Sequence, residues 1–281
     1  MQTTDTSRLQ LDWGDRRVSI EYAWVGDSGD SGNSDDSDKA SESTTEAPVM
    51  VFLHEGLGSI ATWKDFPDEL CRHLRMRGLV YSRPGYGQST PRAHDEHWDV
   101  DFMHRQANEV LPALLHALNI HRPWLFGHSD GGSIALIYAA SRPDELAGAI
   151  VLAPHLFVEA ISVTSIQKVR EAYLHQGLRD KLARYHDDVD SAFFGWNDVW
   201  LSARFRHWDI TEDIRAIRCP VLAVQGRQDE YGTLKQIHRI RRCHASATLL
   251  ELDDCGHSPH RDQPASLIAA LKRFVETARQ P

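Results

Sequence analysis

Trp124-Leu125-Phe126-Gly127-His128-Ser129-Asp130-Gly131-Gly132-Ser133-Ile134-Ala135-Leu136-Ile137-Tyr138-Ala139-Ala140 is an apolar run, a serine with a glycine two residues away on either side, and a helix-forming run apolar all round. A serine held between a buried strand and a buried helix must occupy a very sharp turn. The flanking positions of such a turn leave no room for side chains, which is why glycine stands at 127 and 131. The turn pushes the Ser129 hydroxyl into open space at a helix N-terminus, where free N–H groups favour developing negative charge. This is the pattern of a nucleophile elbow.

Outward from this stretch, short apolar strands alternate with helical patterns. The strand candidates are Val49 to Leu53, Leu79 to Tyr81, Trp124 to Phe126, Ala149 to Leu152, Val221 to Gln225 and Thr248 to Leu252. Apart from the last, these are continuous apolar runs rather than alternating ones, as expected of strands covered on both faces. Helical patterns fall near Trp63 to Arg77, Asp101 to Asn119, Gly131 to Arg142, Thr233 to Arg242 and Ala265 to Ala278. At the start, Leu9 to Trp13 and Val18 to Val25 alternate as a hairpin about Gly14-Asp15. The order predicts an α/β fold: a mostly parallel eight-stranded sheet with helices on both faces.

Two segments break the rhythm. Residues 26–47 are rich in Ser, Asp and Gly without a large apolar residue, and are expected to form a disordered loop. They carry seven acids and one lysine, so −6 of the net −9 lies there and only −3 remains for the body. Residues 155–211 hold no convincing strand but many aromatics, Trp196 and Trp200 among them. They are expected to form a helical cap over the ligand-binding end of the sheet, with residues 1–154 and 212–281 as the core.

Composition narrows the function classes. A chain of 281 residues can bury a full core, and with the acidity confined to one loop, no nucleic-acid partner is expected. No apolar run is long enough for a membrane span, and Met1 to Arg17 lack a signal core, so a cytoplasmic protein is expected. Cys71, Cys219, Cys243 and Cys255 lack metal or disulfide spacing and read as reduced thiols. A homodimer is a common default that no residue here encodes.

A serine hydroxyl needs a base to take its proton, and the base needs an acid to hold its tautomer. After the strand ending at Gln225 comes Gly226-Arg227-Gln228-Asp229-Glu230, and after that ending at Leu252 comes Asp253-Asp254-Cys255-Gly256-His257-Ser258-Pro259-His260. Asp229 is the candidate acid, ahead of Glu230 and Asp253. His257 is the candidate base, ahead of His260, because Gly256 frees the backbone before it. Stabilising the tetrahedral intermediate requires backbone donors. These are assigned to the amide of Asp130 and to that of Gly56, in the loop His54-Glu55-Gly56-Leu57-Gly58-Ser59. Glu55, His128, Arg83, Trp196 and Trp200 are the candidate substrate-binding residues. No metal ligand set is identified; His94-Asp95-Glu96-His97 lies in a polar loop without an ordered scaffold.

Together with Ser82-Arg83-Pro84-Gly85-Tyr86-Gly87-Gln88-Ser89, these motifs resemble the α/β-hydrolase superfamily across the chain from Leu9 onward, excluding the Ser/Asp loop. The Ser-Asp-Gly-Gly elbow is similar to that of biphenyl hydrolase-like enzymes acting on amino-acid esters, and more loosely to hydrolases of aromatic ring-cleavage products. The resemblance implies a Ser129–His257–Asp229 triad and no cofactor, and suggests that Asp130 meets a substrate ammonium group. Read from the residues alone, Asp130 is an acid in the first turn of a helix, its side chain turned away from the oxyanion. Two positions depart from the superfamily pattern: Glu55 stands where glycine follows the loop histidine, and Ser82 where aspartate precedes the Arg83 turn.

The expected function is hydrolysis of a carboxylic ester or thioester of a small apolar or aromatic substrate through an acyl-enzyme. The alternatives are hydrolysis of a carbon–carbon bond in a ring-cleavage product, with Arg83, Arg170 or Arg204 binding its carboxylate, and a non-catalytic binding protein on the same fold.

Overall fold

A computed structural model describes residues 5–26 and 47–280, so nearly all of the expected disordered loop lies outside the described residues. The strands are β1 Ser7–Trp13, β2 Arg16–Gly26, β3 Val49–Leu53, β4 Arg77–Tyr81, β5 Trp124–His128, β6 Gly148–Leu152, β7 Val221–Gly226 and β8 Thr248–Leu252. They form one sheet in the order β1-β2-β4-β3-β5-β6-β7-β8. The β1/β2 and β2/β4 pairs are antiparallel and the rest parallel. Residues 14 and 15 close the first hairpin, with Gly14 at φ +64°.

The continuous apolar runs serve two cores at once. In β3, Met50 and Phe52 face the helices α1 (Phe66–Leu74) and α10 (Pro264–Ala278), while Val51 and Leu53 face the opposite side. That second side is covered by α2 (Phe102–Arg105), α3 (Leu111–Ala117) and α4 (Asp130–Ser141). Every residue of α4 from Asp130 to Ala139 is buried, as expected of a helix apolar all round. The helix expected over Asp101 to Asn119 runs without a gap from Phe102 to Ala117, widened by a single π-type turn at Gln106–Val110 that joins α2 to α3. The helix expected from Trp63 is shorter too, because Lys64 has φ +54° and the regular turns begin at Phe66.

Between β6 and β7 the chain runs through α5 (Ala160–His175), α6 (Leu178–Leu182) and α7 (Val189–Leu201), with a lone bridge between Phe157 and Asp209. Beyond β7 come α8 (Lys235–Cys243) and α9 (Pro259–Asp262). No helix among the described residues is long and apolar enough to cross a membrane. All four cysteines are free thiols.

Backbone packs very tightly where β3, β5 and α4 meet. A Cβ added at Gly131 would lie 2.0 Å from the Leu53 carbonyl oxygen, and one at Gly127 would lie 2.2 Å from that of Gly131. Neither neighbour is a flexible side chain, so neither can yield. Gly131→Ala should therefore destabilise the fold by on the order of 3 kcal/mol in urea unfolding. Gly132→Ala, whose new methyl would meet a Pro154 side-chain carbon at 3.1 Å, should cost clearly less. Equal losses would contradict this reading.

Candidate active site

Ser129 sits between β5 and α4 at φ +53°, ψ −120°, a backbone conformation costly for any residue with a Cβ. Two bonds hold it there: its N–H donates to the Leu152 carbonyl at 2.9 Å, and its carbonyl accepts from the Ser133 N–H at 3.0 Å. The glycines at 127 and 131 have no room for a Cβ, as the sequence pattern requires.

The three predicted triad side chains meet above this turn. His257 Nε2 is 2.9 Å from Ser129 Oγ. His257 Nδ1 is 2.8 Å and 3.0 Å from the two carboxylate oxygens of Asp229. Asp229 in turn accepts from the Tyr231 N–H at 2.8 Å, the Gly232 N–H at 3.2 Å and the Gln225 amide at 3.0 Å. Burial alone would push its carboxyl up, but His257 and the Tyr231 amide bring it below the ordinary carboxylate range. An ionised Asp229 fixes the proton of His257 on Nδ1 and leaves Nε2 to accept from the serine. The loop before His257 turns at Asp254, with φ +51°, rather than at Gly256 as expected. Gly256 instead donates its N–H to Asp262 at 2.8 Å.

His128 anchors the base from below, its Nε2–H donating to the His257 carbonyl at 2.8 Å. Its Nδ1 faces Glu55 Oε2 at 3.7 Å, and Arg261 reaches Glu55 Oε1 at 3.1 Å. Burial opposes the charge of Glu55, yet His128 and Arg261 outweigh it and hold the carboxyl well below its usual range.

The loop after β3 is oriented through one carbonyl. The Glu55 oxygen accepts from His54 Nδ1–H at 2.7 Å, Arg83 Nη2 at 2.9 Å and the Gly58 N–H at 3.1 Å. Because a peptide unit is planar and trans, pinning that oxygen turns the following Gly56 N–H to the opposite side, and Gly56 lines the cavity. Among the described residues, neither the Gly56 nor the Asp130 amide donates to a backbone carbonyl. Burial and the neighbouring Arg83 hold the His54 pKa far below the usual histidine value. A neutral His54 can accept from the Arg83 N–H at its Nε2, 3.0 Å away. At the Ser82 departure, the carboxylate is supplied by Glu21 of β2: Glu21 Oε2 accepts from Ser82 Oγ at 2.7 Å and from the Gln88 N–H at 3.0 Å.

A cavity of about 260 Å³ opens above Ser129, walled by Ile166 and Val169 of α5, Trp196 and Trp200 of α7, and Leu57. Glu55 and His128, among the expected substrate-binding residues, line it with the two tryptophans. Arg83 does not. It is fully buried behind the loop, stacked over Tyr86 at 4.6 Å, where it positions a peptide rather than a ligand. Arg170 and Arg204 are likewise engaged elsewhere, with Asp198 and Asp99. His155, Tyr231 and Arg261 line the cavity without having been anticipated. His155 lies just beyond the end of β6, after Ala153 and Pro154, and strand C-terminal ends are where ligands collect in such sheets. Arg261 carried no comparable signal, since its partner lies 206 residues away. A larger cleft, about 410 Å³, lies beside Arg92 and Trp98. Its acids Asp99, Asp190 and Asp198 are already paired with arginines, and the triad is not in it.

Residues 50–271 match the alpha/beta hydrolase family. The chain belongs to that family. It is 27% identical over 261 residues to an esterase of Mycobacterium tuberculosis, covering 82% of this chain and 84% of that protein. It is 27% identical over 241 residues to a 2-hydroxy-6-oxo-2,4-heptadienoate hydrolase of Pseudomonas putida, covering 78% and 85%. Among solved structures, a thermophilic esterase from Thermogutta terrifontis superposes with a TM-score of 0.68 at 19% identity, covering 98% of this chain and all of that one. This alpha/beta hydrolase is thus an enzyme with hydrolase relatives, and its fold is that of solved esterases.

Asp130 yields a pH-dependent test. Its side chain is 1% exposed, and burial pushes its carboxyl up to about 6, opposed by the Arg83 guanidinium. The unfolded carboxyl ionises near its ordinary value, so above pH 6 ionisation opposes folding and below pH 4 it does not. Relative to wild type, Asp130→Asn should gain about 2–3 kcal/mol of stability between pH 4 and pH 8. A gap between the two denaturation curves that does not change with pH would refute the assignment.

Proposed function

We propose that this alpha/beta hydrolase cleaves carboxylic esters or thioesters of small substrates by a serine mechanism. The observation that carries the reading is the hydrogen-bonded order Ser129 Oγ, His257, Asp229 beneath an open cavity. Ser129 Oγ attacks the carbonyl carbon while its proton passes to His257 Nε2. The carbonyl oxygen becomes an oxyanion that accepts hydrogen bonds from the amides of Gly56 and Asp130. Collapse expels the alcohol or thiol, which takes the proton from His257 and leaves an acyl-serine. Water then attacks the acyl carbon with His257 as base, and the acid is released as Ser129 recovers its proton.

Similarity to the Pseudomonas putida hydrolase supports a second reading, cleavage of a carbon–carbon bond by the same residues. The ester reading is preferred because none of Arg83, Arg170 and Arg204, the arginines expected to bind a carboxylate, lines the cavity, and Arg261, which does, is paired with Glu55.

A fluorophosphonate probe should label the wild type at Ser129 and leave Ser129→Ala unlabelled. Asp229→Asn should lower kcat on p-nitrophenyl acetate by about 10⁴. An unlabelled, inactive wild type would refute the serine mechanism. Arg83→Met should lower kcat by about 10² with little change in KM, because the oxyanion amide at Gly56 loses its orientation. A change confined to KM would return Arg83 to substrate binding.

A further inference from the structure

A histidine from the segment between β6 and β7 reaches the loop after β3. His186 lies between α6 and α7, is buried, and has both ring nitrogens bonded. Its Nδ1 accepts from the Gly87 N–H at 2.9 Å, which places the ring proton on Nε2. That Nε2–H donates to the Leu57 carbonyl at 3.1 Å. Burial holds the His186 pKa below the usual histidine value, with the Leu57 carbonyl opposing. The ring is therefore neutral, as an accepting Nδ1 requires. The Asp187 N–H donates back to the Gly87 carbonyl at 2.9 Å, so two bonds clasp residues 186 and 187 against the turn that carries Arg83.

The bond to Leu57 begins a line of hydrogen bonds that ends at a proposed oxyanion amide. The Leu57 carbonyl and the Gly58 N–H are opposite sides of one peptide plane. The Gly58 N–H donates to the Glu55 carbonyl at 3.1 Å. That carbonyl and the Gly56 N–H are opposite sides of another plane. From the His186 Nε2–H to the Gly56 N–H, each peptide unit accepts on one side and donates on the other. Hydrogen bonds aligned in this way polarise one another, and holding the first plane restrains the second. His54 and Arg83 grip the Glu55 carbonyl directly, and His186 braces it through Leu57 and Gly58.

Resting on the ester-hydrolase reading, we propose that His186 is a positioning residue for catalysis, holding the loop after β3 so that the Gly56 N–H is aimed at the oxyanion. His186 does not line the cavity above Ser129, so it touches no substrate. Its removal bears on the transition state, where the oxyanion forms, and leaves binding of the ester itself unchanged.

The test follows methyl butyrate hydrolysis in a pH-stat. His186→Phe should lower kcat about tenfold and keep KM within about twofold of wild type. Affinity for a trifluoromethyl ketone, whose adduct with Ser129 carries an oxyanion, should fall by the same factor. His186→Gln, which keeps an amide donor and acceptor, should recover most of both losses. In protein labelled with [15N]glycine, His186→Phe should shift the Gly56 and Gly58 amide resonances and leave that of Gly148, in β6, in place. Unchanged kcat, a loss confined to KM, or unmoved Gly56 and Gly58 resonances would overturn the proposal. So would imidazole 15N shifts that put the His186 proton on Nδ1, a measurement on wild type that needs no variant to fold. A wild type that hydrolyses no ester and forms no ketone adduct would instead reject the ester-hydrolase reading, and the glycine and imidazole resonances would then decide the place of His186.

Discussion

The approach of one helix to one strand sets the terms for the rest of this structure. The first turn of α4 lies so close to the end of β3 that the Gly131 Cα rests against the Leu53 carbonyl, within a space that excludes even a methyl group. Only this closeness turns the chain sharply enough to hold Ser129 at positive φ and present its hydroxyl. A backbone conformation of this kind costs about 1–3 kcal/mol. It persists because the cores on both sides of the sheet leave α4, buried along almost its whole length, no other seat.

The electrostatics follow from that placement. Negative charge lies near the reacting centre in Glu55, Asp130 and Asp229, an awkward setting for chemistry that builds an oxyanion. Each carboxyl is dealt with differently. Asp229 is spent on His257 and backbone amides. Glu55 is tied to Arg261 and faced by His128. Asp130 is made harder to ionise by burial, and Arg83 opposes its charge. Arg83 serves as the central cation of this arrangement, opposing Asp130 while clamping the Glu55 carbonyl.

Much of this architecture was legible in the residues, because parallel strands buried on both faces leave uninterrupted apolar runs and the elbow demands glycines at fixed offsets. The Ser129, Asp229 and His257 loops followed from strand ends in the same way. Helix boundaries were less legible: the π-type turn at Gln106–Val110 and the break at Lys64 depend on packing that no local pattern encodes. The position of Arg83 illustrates a second limit. A basic residue in a glycine-rich turn looks like a ligand contact, and only the folded chain reveals that it is buried with its Nη2 bonded to a carbonyl from another loop. His155 shows the reverse, a residue at a strand end whose importance depends on the inserted helices closing over it.

The contact between Trp196 and Gly56 ties two parts of the molecule together. A methyl group on Gly56 would fall 2.1 Å from the indole nitrogen of Trp196, so α7 rests directly on the loop that carries one of the proposed oxyanion amides. Any side chain at position 56 would displace that indole, and with it a wall of the cavity above Ser129. The shape of the cavity and the course of the loop are thus fixed by the same absent methyl group.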